Sequence, residues 1–450
     1  MHAWGGAGTV TGANFEIRTK KSRILVDCGL IQGTPLMEEK NKEAFPYDPK
    51  LFSALLVTHA HLDHLGRIAK LVKEGFSGPI YSTRETKAIA EIVMQDALHV
   101  SIENAKALNN EPLYSEENVR KALSLWRTFS YHLPTIVTDD ISFVAYDPGH
   151  ILGASMYWIT VKEGNDSRSI LCTGDVGNSP SPLLKDTEIP PGPDYLLMES
   201  VYGDRNHEGV EDRVNNFKNV IRERTDNGGT VLIPSFSIER TQVILSILND
   251  MAENEGFKVP IFLDSPLGIQ ITHIYEKMSA IFNETAKTEM QESDGLFKFK
   301  TLKETARIED SRSIASISPP KIIIAGSGMS NGGRIMSHEK RYLPDENVSV
   351  LLMGYQAPGT LGRLLEEGAK KVEINREVVP VRAKIISIHG FSGHADSNHL
   401  LKFVEDLSPK PKKVFLAMGE DRASNFLAQR IKDILGVNTH ALSPNEGVNL

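Results

Sequence analysis

The run Thr58-His59-Ala60-His61-Leu62-Asp63-His64 places four metal-ligand side chains within six residues, directly after the apolar run Ala54-Leu55-Leu56-Val57. A His-x-His pair can fold round one ion, while Asp63 and His64 are offset enough to serve a second. Imidazole with carboxylate suits zinc, and a site built from several such residues can keep one position open for water. The bland reading is a polar loop that happens to be rich in histidine. Four ligand types at the mouth of a strand favour a hydrolytic metal site instead.

Further residues of this kind recur where strands are expected to end. Asp27 follows Ile24–Val26, His150 lies just beyond Ile141–Ala145, Asp175 follows Ser169–Thr173, and Glu199 follows Leu196-Leu197-Met198. Strand ends on one edge of a sheet converge, so residues distant in sequence can build one site. Between them, helical spacing predicts a helix from Leu65 to Val72 that stops at Gly75, and others over Glu85–Ala107 and Glu116–Trp126. Met156–Val161 and Ser169–Thr173 read as a hairpin around Glu163-Gly164-Asn165-Asp166.

From about residue 206 to 380 helices and strands alternate, as in a parallel α/β sheet. Residues 284–318 read as loop with short helices. The strand Ala383–Ile388, helix Ser397–Leu407, strand Lys412–Leu416 and helix Ala423–Leu435 are expected to close the chain.

At 450 residues, two domains are the natural expectation. No apolar run approaches the roughly 20 residues of a membrane helix, and the first residues carry no secretory signature. A cytoplasmic protein with no membrane partner is expected. The net charge of −8 argues against a surface coated for nucleic acid but leaves room for a local basic cleft. The two cysteines, Cys28 and Cys172, imply no disulfide framework and read as packing residues.

The series Asp27, His59-x-His61-x-Asp63-His64, His150 and Asp175 resembles the metallo-β-lactamase superfold, an α/β protein built as an αβ/βα sandwich with two zinc ions on its edge. Four further stretches resemble the β-CASP nucleases, in which an α/β cap domain is inserted into that fold. These are Glu199–Arg205, Ser327-Gly328-Met329 with Gly332-Gly333-Arg334, Gly354–Arg363, and Gly390-Phe391-Ser392-Gly393-His394-Ala395-Asp396. The resemblance is closest to the RNA-processing branch, which includes the polyadenylation endonuclease subunit. It implies a first lactamase part over 1–205, a cap over 206–380 and a returning lactamase part over 381–450.

By that resemblance His59, His61 and His150 would hold one zinc, Asp63 and His64 the other, with Asp175 between them and Asp27 steadying the ligand loop. Two zinc ions would supply hydroxide at neutral pH and clamp a phosphate oxygen. The resemblance assigns the leaving group's proton to His394, oriented by Glu199, so Asp63, Glu199 and His394 are the residues expected to act in the reaction. The implied products from single-stranded RNA carry a 5′-phosphate and a 3′-hydroxyl.

Ser392 and Gly393 are candidates to contact the substrate backbone, as is the glycine-rich loop of Ser327 and Gly328 with Arg334 and His338, because loop amides can cradle phosphate. Arg240 and Arg363 are weaker candidates, with a structural ion pair an equally good reading. A homodimer is left open.

One position departs from the family. Before Gly419-Glu420 relatives carry a histidine, whereas this chain has Met418, a soft and neutral thioether that suits zinc poorly beside carboxylates. The Asp63 and His64 site therefore lacks one expected ligand. Water, His389 or Glu420 are the replacements to consider. The departure keeps two alternatives open: a nuclease for single-stranded DNA and a catalytically weakened RNA-binding subunit. A thioesterase or lactonase on this fold would lack both the insertion and the Phe391–His394 motif.

Overall fold

The computed structural model describes residues 1–292, 295–357 and 359–450. They form two compact units, residues 1–181, 185–206 and 394–450 in the first, and 182–184 and 207–393 in the second. Among the described residues no helix is long and apolar enough to cross a membrane.

In the first unit, β1 (His2–Gly5), β2 (Asn14–Arg18), β3 (Arg23–Val26), β4 (Ala54–Leu56), β5 (Ile80–Thr83) and β6 (Trp126–Phe129) form one sheet in that order. Pairing is antiparallel up to β3 and parallel beyond it. The second sheet begins with β7 (Thr135–Ile136), β8 (Ile141–Tyr146), β9 (Met156–Glu163), β10 (Asp166–Cys172) and β11 (Tyr195–Glu199).

The second unit carries β12 (Thr230–Pro234), β13 (Ile261–Leu263), β14 (Leu302–Glu304), β15 (Lys321–Ala325), β16 (Val348–Leu352), a hairpin of β17 (Lys371–Ile374) and β18 (Glu377–Pro380), and β19 (Lys384–Ser387). Its parallel sheet runs β14-β13-β15-β12-β16-β19. The chain then returns with β20 (Lys413–Ala417) and β21 (Asn438–Ala441), completing the second sheet of the first unit as β21-β20-β11-β10-β9-β8-β7.

Alternation along the strands decides which face goes where. Ile170, Cys172, Leu197 and Phe415 point from the second sheet into a core shared with Phe15, Ile17, Val26 and Leu56 of the first sheet. Their neighbours Leu171, Leu196, Met198, Val414 and Leu416 point the other way, where Leu400, Phe403 and Val404 of helix Ser397–Asp406 and Leu427 and Ile431 of helix Asp421–Leu435 cover them. Burying each such side chain contributes about 1.5 to 3 kcal/mol. This is the expected αβ/βα sandwich.

Three expectations change. The strand near Ala383 was assigned to the returning lactamase part, but β19 pairs in register with β16, so the second unit runs on to Gly393 rather than ending at 380. Its sequence, Lys384-Ile385-Ile386-Ser387, is only half apolar and does not by itself assign the strand to a sheet; pairing does. Residues 284–318 hold the expected short helices, Glu284–Glu292 and Ile308–Ser313, and one unforeseen element, edge strand β14. Trp126 opens β6 instead of ending a helix; its ring is buried and its indole N–H donates to Ser82 Oγ at 2.8 Å.

Candidate active site

Every strand expected to deliver a candidate ligand places that residue at the same end of its sheet. Asp27 follows β3, the histidine loop follows β4, His150 lies beyond β8, Asp175 lies beyond β10, and Glu199 is the last residue of β11. Asp27 adopts φ 61, a left-handed conformation that aspartate tolerates better than most residues. That turn aims its carboxylate under the histidine loop. Oδ1 accepts the Thr58 N–H, and Oδ2 accepts both the Thr58 hydroxyl and His64 Nδ1–H, all at 2.8 Å. Gly29 lets the two loops meet, since a Cβ there would fall 1.5 Å from the Asp63 carbonyl oxygen.

Thr58, which sequence reasoning passed over, then fixes His59. Its one hydroxyl proton goes to Asp27, so its lone pair takes His59 Nδ1–H, 3.0 Å away. Both hydrogen bonds use Nδ1, so Nε2 is the nitrogen that His59 and His64 would offer to a metal. Local sequence could have flagged Thr58 only as a polar residue at a strand end.

Four ligand atoms converge to within 4.8 Å of one another, from His59, His61, His150 and Asp175. His59 Nε2 lies 3.0 Å from His61 Nδ1 and 3.3 Å from Asp175 Oδ2. His150 Nε2 lies 3.3 Å from His61 Nδ1 and 3.4 Å from Asp175 Oδ2. Tetrahedral ligands about 2.05 Å from a zinc ion sit roughly 3.3 Å apart, so the set fits that ion. Burial, reinforced by neighbouring imidazoles, pushes His59 below and His61 well below the usual histidine range. Their nitrogens are therefore held neutral, as ligation requires.

Asp175 divides its two oxygens. Oδ1 lies 3.3 Å from His64 Nε2, and both of these buried atoms lack a hydrogen-bond partner. An orphaned acceptor facing an orphaned imidazole nitrogen is what a second cation would satisfy. Asp63 Oδ2 is farther off, 3.9 Å from His64 Nε2, and burial raises its pKa. This half of the site is the less closed one.

Met418 lies on the His64 side of the site. It is buried at φ 46 among Ala3, Phe15, Val26 and Phe415, with its N–H donating to Gly6 O at 2.6 Å. Together with Asp27, His64 and Glu199 it lines a cavity of about 20 Å³, roughly one water in size. Glu420 is exposed at the head of helix Asp421–Leu435, outside the converging ligand groups. The His389 side chain lies outside the described residues.

A second group, Asp175, Glu199 and His394, converges beside the first. His394 Nδ1 lies 3.2 Å from both Glu199 oxygens and 3.8 Å from Asp175 Oδ2. Glu199 is pinned in turn by the Val176 N–H at 2.6 Å. Burial would depress the His394 imidazolium, but the charges of Glu199 and Asp175 outweigh it and push the pKa up to about 9. Burial pushes the Cys28 thiol up to about 12 and Cys172 well up, leaving both to packing.

The substrate-contact candidates belong to the second unit and fare unevenly. Arg334 and His338 both bind the buried carboxylate of Asp264: Arg334 Nη1 reaches Oδ1 at 2.6 Å and His338 Nε2 reaches Oδ2 at 2.7 Å. Ser311 and Thr305 donate to the same carboxylate at 2.6 and 2.9 Å. Asp264 was missed because nothing in its local sequence marks it. Arg363 pairs with Glu367 at 2.7 Å, the ion-pair reading.

Arg240 lies 4.8 Å from the Phe236 ring centroid and donates to Phe391 O at 3.2 Å, tied to the segment just before His394. The Ser327 hydroxyl donates to Asn331 Oδ1 at 2.7 Å, and Gly328 leaves room for the Phe236 ring. Ser392 and Gly393 close the second unit immediately before His394.

Burial would raise the Asp264 pKa, but the hydrogen bonds from His338, Ser311, Arg334 and Thr305 hold it at about 2. A depressed carboxylate pKa stabilises the fold above the unfolded value of about 4, and that stability is lost as pH falls through about 2. The network is worth about 2 kcal/mol at neutral pH. Asp264→Asn is expected to lower resistance to urea at pH 7 and to converge on the parent near pH 2.

Residues 17–177 match the metallo-beta-lactamase superfamily domain, 241–365 the Beta-Casp domain, and 378–442 the Zn-dependent metallo-hydrolase RNA specificity domain. Ribonuclease TTHA0252 of Thermus thermophilus is 34% identical over 418 residues, covering 93% of this chain and 92% of its own. The chain belongs to the β-CASP family of metallo-β-lactamase-fold hydrolases.

Other β-CASP relatives include the RNase J-like protein of Methanocaldococcus jannaschii, 33% identical over 97% of this chain and 96% of its own. Transcription termination factor FttA of the same organism is 30% identical over 97% of this chain and 69% of its own. A crystal structure of a protein of unknown function from Enterococcus faecalis V583 shares the fold, with a TM-score of 0.56 at 14% identity, over 99% of this chain and 98% of that one. Membership makes the chain a metal-dependent hydrolase with an RNA specificity domain.

Proposed function

We propose that this β-CASP protein is a zinc-dependent ribonuclease that hydrolyses phosphodiester bonds of single-stranded RNA, leaving a 5′-phosphate and a 3′-hydroxyl. The observation that carries it is one carboxylate, Asp175, shared between a three-histidine ligand group and the His394–Glu199 pair. His59, His61, His150 and Asp175 Oδ2 would hold one zinc; Asp63, His64 and Asp175 Oδ1 would hold the other. Bound there, zinc would acidify a water towards neutral pKa and draw charge from a phosphate oxygen.

The 3′-oxygen is a poor leaving group and needs a proton as its bond to phosphorus breaks. Glu199 holds His394 through Nδ1, so delivery falls to Nε2. Asp27 keeps the histidine loop in register through Thr58 and His64. Ser392, Gly393, Arg240 and the Ser327–Gly328 loop are the groups proposed to follow the RNA backbone; Arg334 and His338 would act mainly by shaping that loop. The names of the relatives, ribonuclease and RNase J-like, support RNA over DNA. A cytoplasmic enzyme accords with this reading.

The test is to purify the protein, count zinc per chain, and offer end-labelled single-stranded RNA and DNA side by side. RNA cleavage yielding 5′-phosphate ends is expected. Preferential DNA cleavage would overturn the substrate, and zinc binding without cleavage of either polymer would favour a binding subunit. Elution volume in the same purification decides between monomer and homodimer.

Met418→His is expected to raise zinc occupancy of the Asp63–His64 half, read by metal analysis after dialysis against a weak chelator. Unchanged occupancy would mean that another group already completes that half.

A further inference from the structure

The turn that carries His150, Asp147-Pro148-Gly149, is held by residues distant in sequence but of its own unit. Glu188 grips it twice. Its backbone N–H donates to Asp147 O at 3.0 Å, and its carboxylate Oε2 accepts the Asp147 N–H at 2.9 Å. Thr187 takes the next residue, its hydroxyl donating to Pro148 O at 2.9 Å. The Gly177 N–H donates to that same carbonyl at 2.8 Å, and Gly177 also forms an antiparallel bridge with His394. The Gly149 N–H is taken by Asp147 Oδ1 at 2.8 Å. Approach is close enough to require glycine at 149, which has φ 66 and where a Cβ would lie 2.8 Å from Lys185 O.

This bracket is itself anchored. The Thr187 N–H donates to Ser179 Oγ at 3.0 Å. Further along, Pro191 O accepts the indole N–H of Trp158 on β9 at 3.0 Å, and Asp194 Oδ2 accepts the Ser169 N–H on β10 at 2.9 Å. Glu188 Oε2 also lies 2.9 Å from His132 Nε2. The His132 N–H donates to Ala145 O at 3.0 Å, so the same carboxylate oxygen is tied to β8 as well.

We infer that Glu188 and its neighbour Thr187 are positioning residues for His150. They fix the backbone turn that sets how far the imidazole reaches towards His61 and Asp175. A zinc site tolerates only about 0.2 Å of error in ligand distance, so a turn released from its bracket loosens the ligand it carries. Partners behind metal ligands typically govern about 10- to 100-fold in metal affinity. Glu188 and Thr187 act on the backbone rather than on the imidazole itself, which places the expected effect at the lower figure. The inference rests on the metal reading of His59, His61, His150 and Asp175.

Glu188→Ala tests it, because the variant removes the acceptor of the Asp147 N–H and leaves the backbone donation in place. In the full-length protein, zinc release to a chromophoric chelator is expected to quicken about tenfold. The visible spectrum of the cobalt-substituted protein should shift as well, a signature that loss of global stability alone does not produce. Glu188→Gln supplies an amide oxygen at the same reach and should return both readouts most of the way to the parent.

A folded Glu188→Ala protein with parental release and spectrum would overturn the inference. So would a Glu188→Gln protein no closer to the parent than Glu188→Ala, since the effect would then not come from the bond to the turn. Should Glu188→Ala fail to fold, Thr187→Val cuts the bond to Pro148 O instead, and parental release and spectrum there overturn it equally. A parent protein that binds no zinc would defeat the metal reading on which the inference stands.

Discussion

Replacing His394 by alanine is expected to slow RNA hydrolysis by about 10² to 10⁴-fold, with zinc content held at the parental value. The imidazole is anchored at 3.2 Å by both oxygens of Glu199, and the charges of Glu199 and Asp175 overcome burial to push its pKa up to about 9. With Nδ1 held by Glu199, Nε2 is the nitrogen that would deliver a proton, as a general acid must. Glu199 cannot swing away, because its Oε1 takes the Val176 N–H at 2.6 Å.

A substrate whose 3′-oxygen is replaced by sulfur needs little protonation on departure and should be cleaved by the variant nearly as fast as by the parent. Asp175, Glu199 and His394 also lie close enough to share a cation. Zinc lost along with activity in His394→Ala would therefore make His394 a ligand and sink the proton-donor role.

Asp175→Ala is expected to do more damage than any other single change, releasing zinc from both halves and taking cleavage to background. Oδ2 lies 3.3 Å from His59 Nε2 and 3.4 Å from His150 Nε2, while Oδ1 lies 3.3 Å from His64 Nε2. No other carboxylate among the described residues joins the three-histidine group. The loss should exceed the roughly 10- to 100-fold cost of removing a partner behind a ligand. Asp175→Asn, which keeps one oxygen, should retain part of the zinc. Metal analysis of the purified variants decides the matter, and two zinc ions still bound in Asp175→Ala would remove the shared carboxylate from the scheme.

Much of the candidate ligand set was legible before any coordinates. His59, His61, His150 and Asp175 stand beyond strand ends, and pattern alone located those strands to within a few residues. Asp27 was readable as a supporting residue for the same reason. Pattern failed where a contact rather than a period decides the outcome. Arg334 and His338 looked like free cations in a glycine-rich loop, yet Asp264, distant in sequence, accepts hydrogen bonds from both. Thr58 looked like an ordinary polar residue, yet it selects the tautomer of His59. Gly354–Arg363 was legible as a family motif, although Pro358 within it lies outside the described residues.

By itself the sequence determined the candidate ligand types, their placement after β3, β4, β8 and β10, and a stretch of alternating helices and strands, because period and composition are local properties. Tertiary structure alone decided that β19 belongs to the inserted unit, that Asp175 turns its two oxygens to different partners, and that Pro182–Leu184 leave one unit for the other. Each of these depends on which distant atoms come within hydrogen-bonding reach, and that distance is fixed only once the chain has packed.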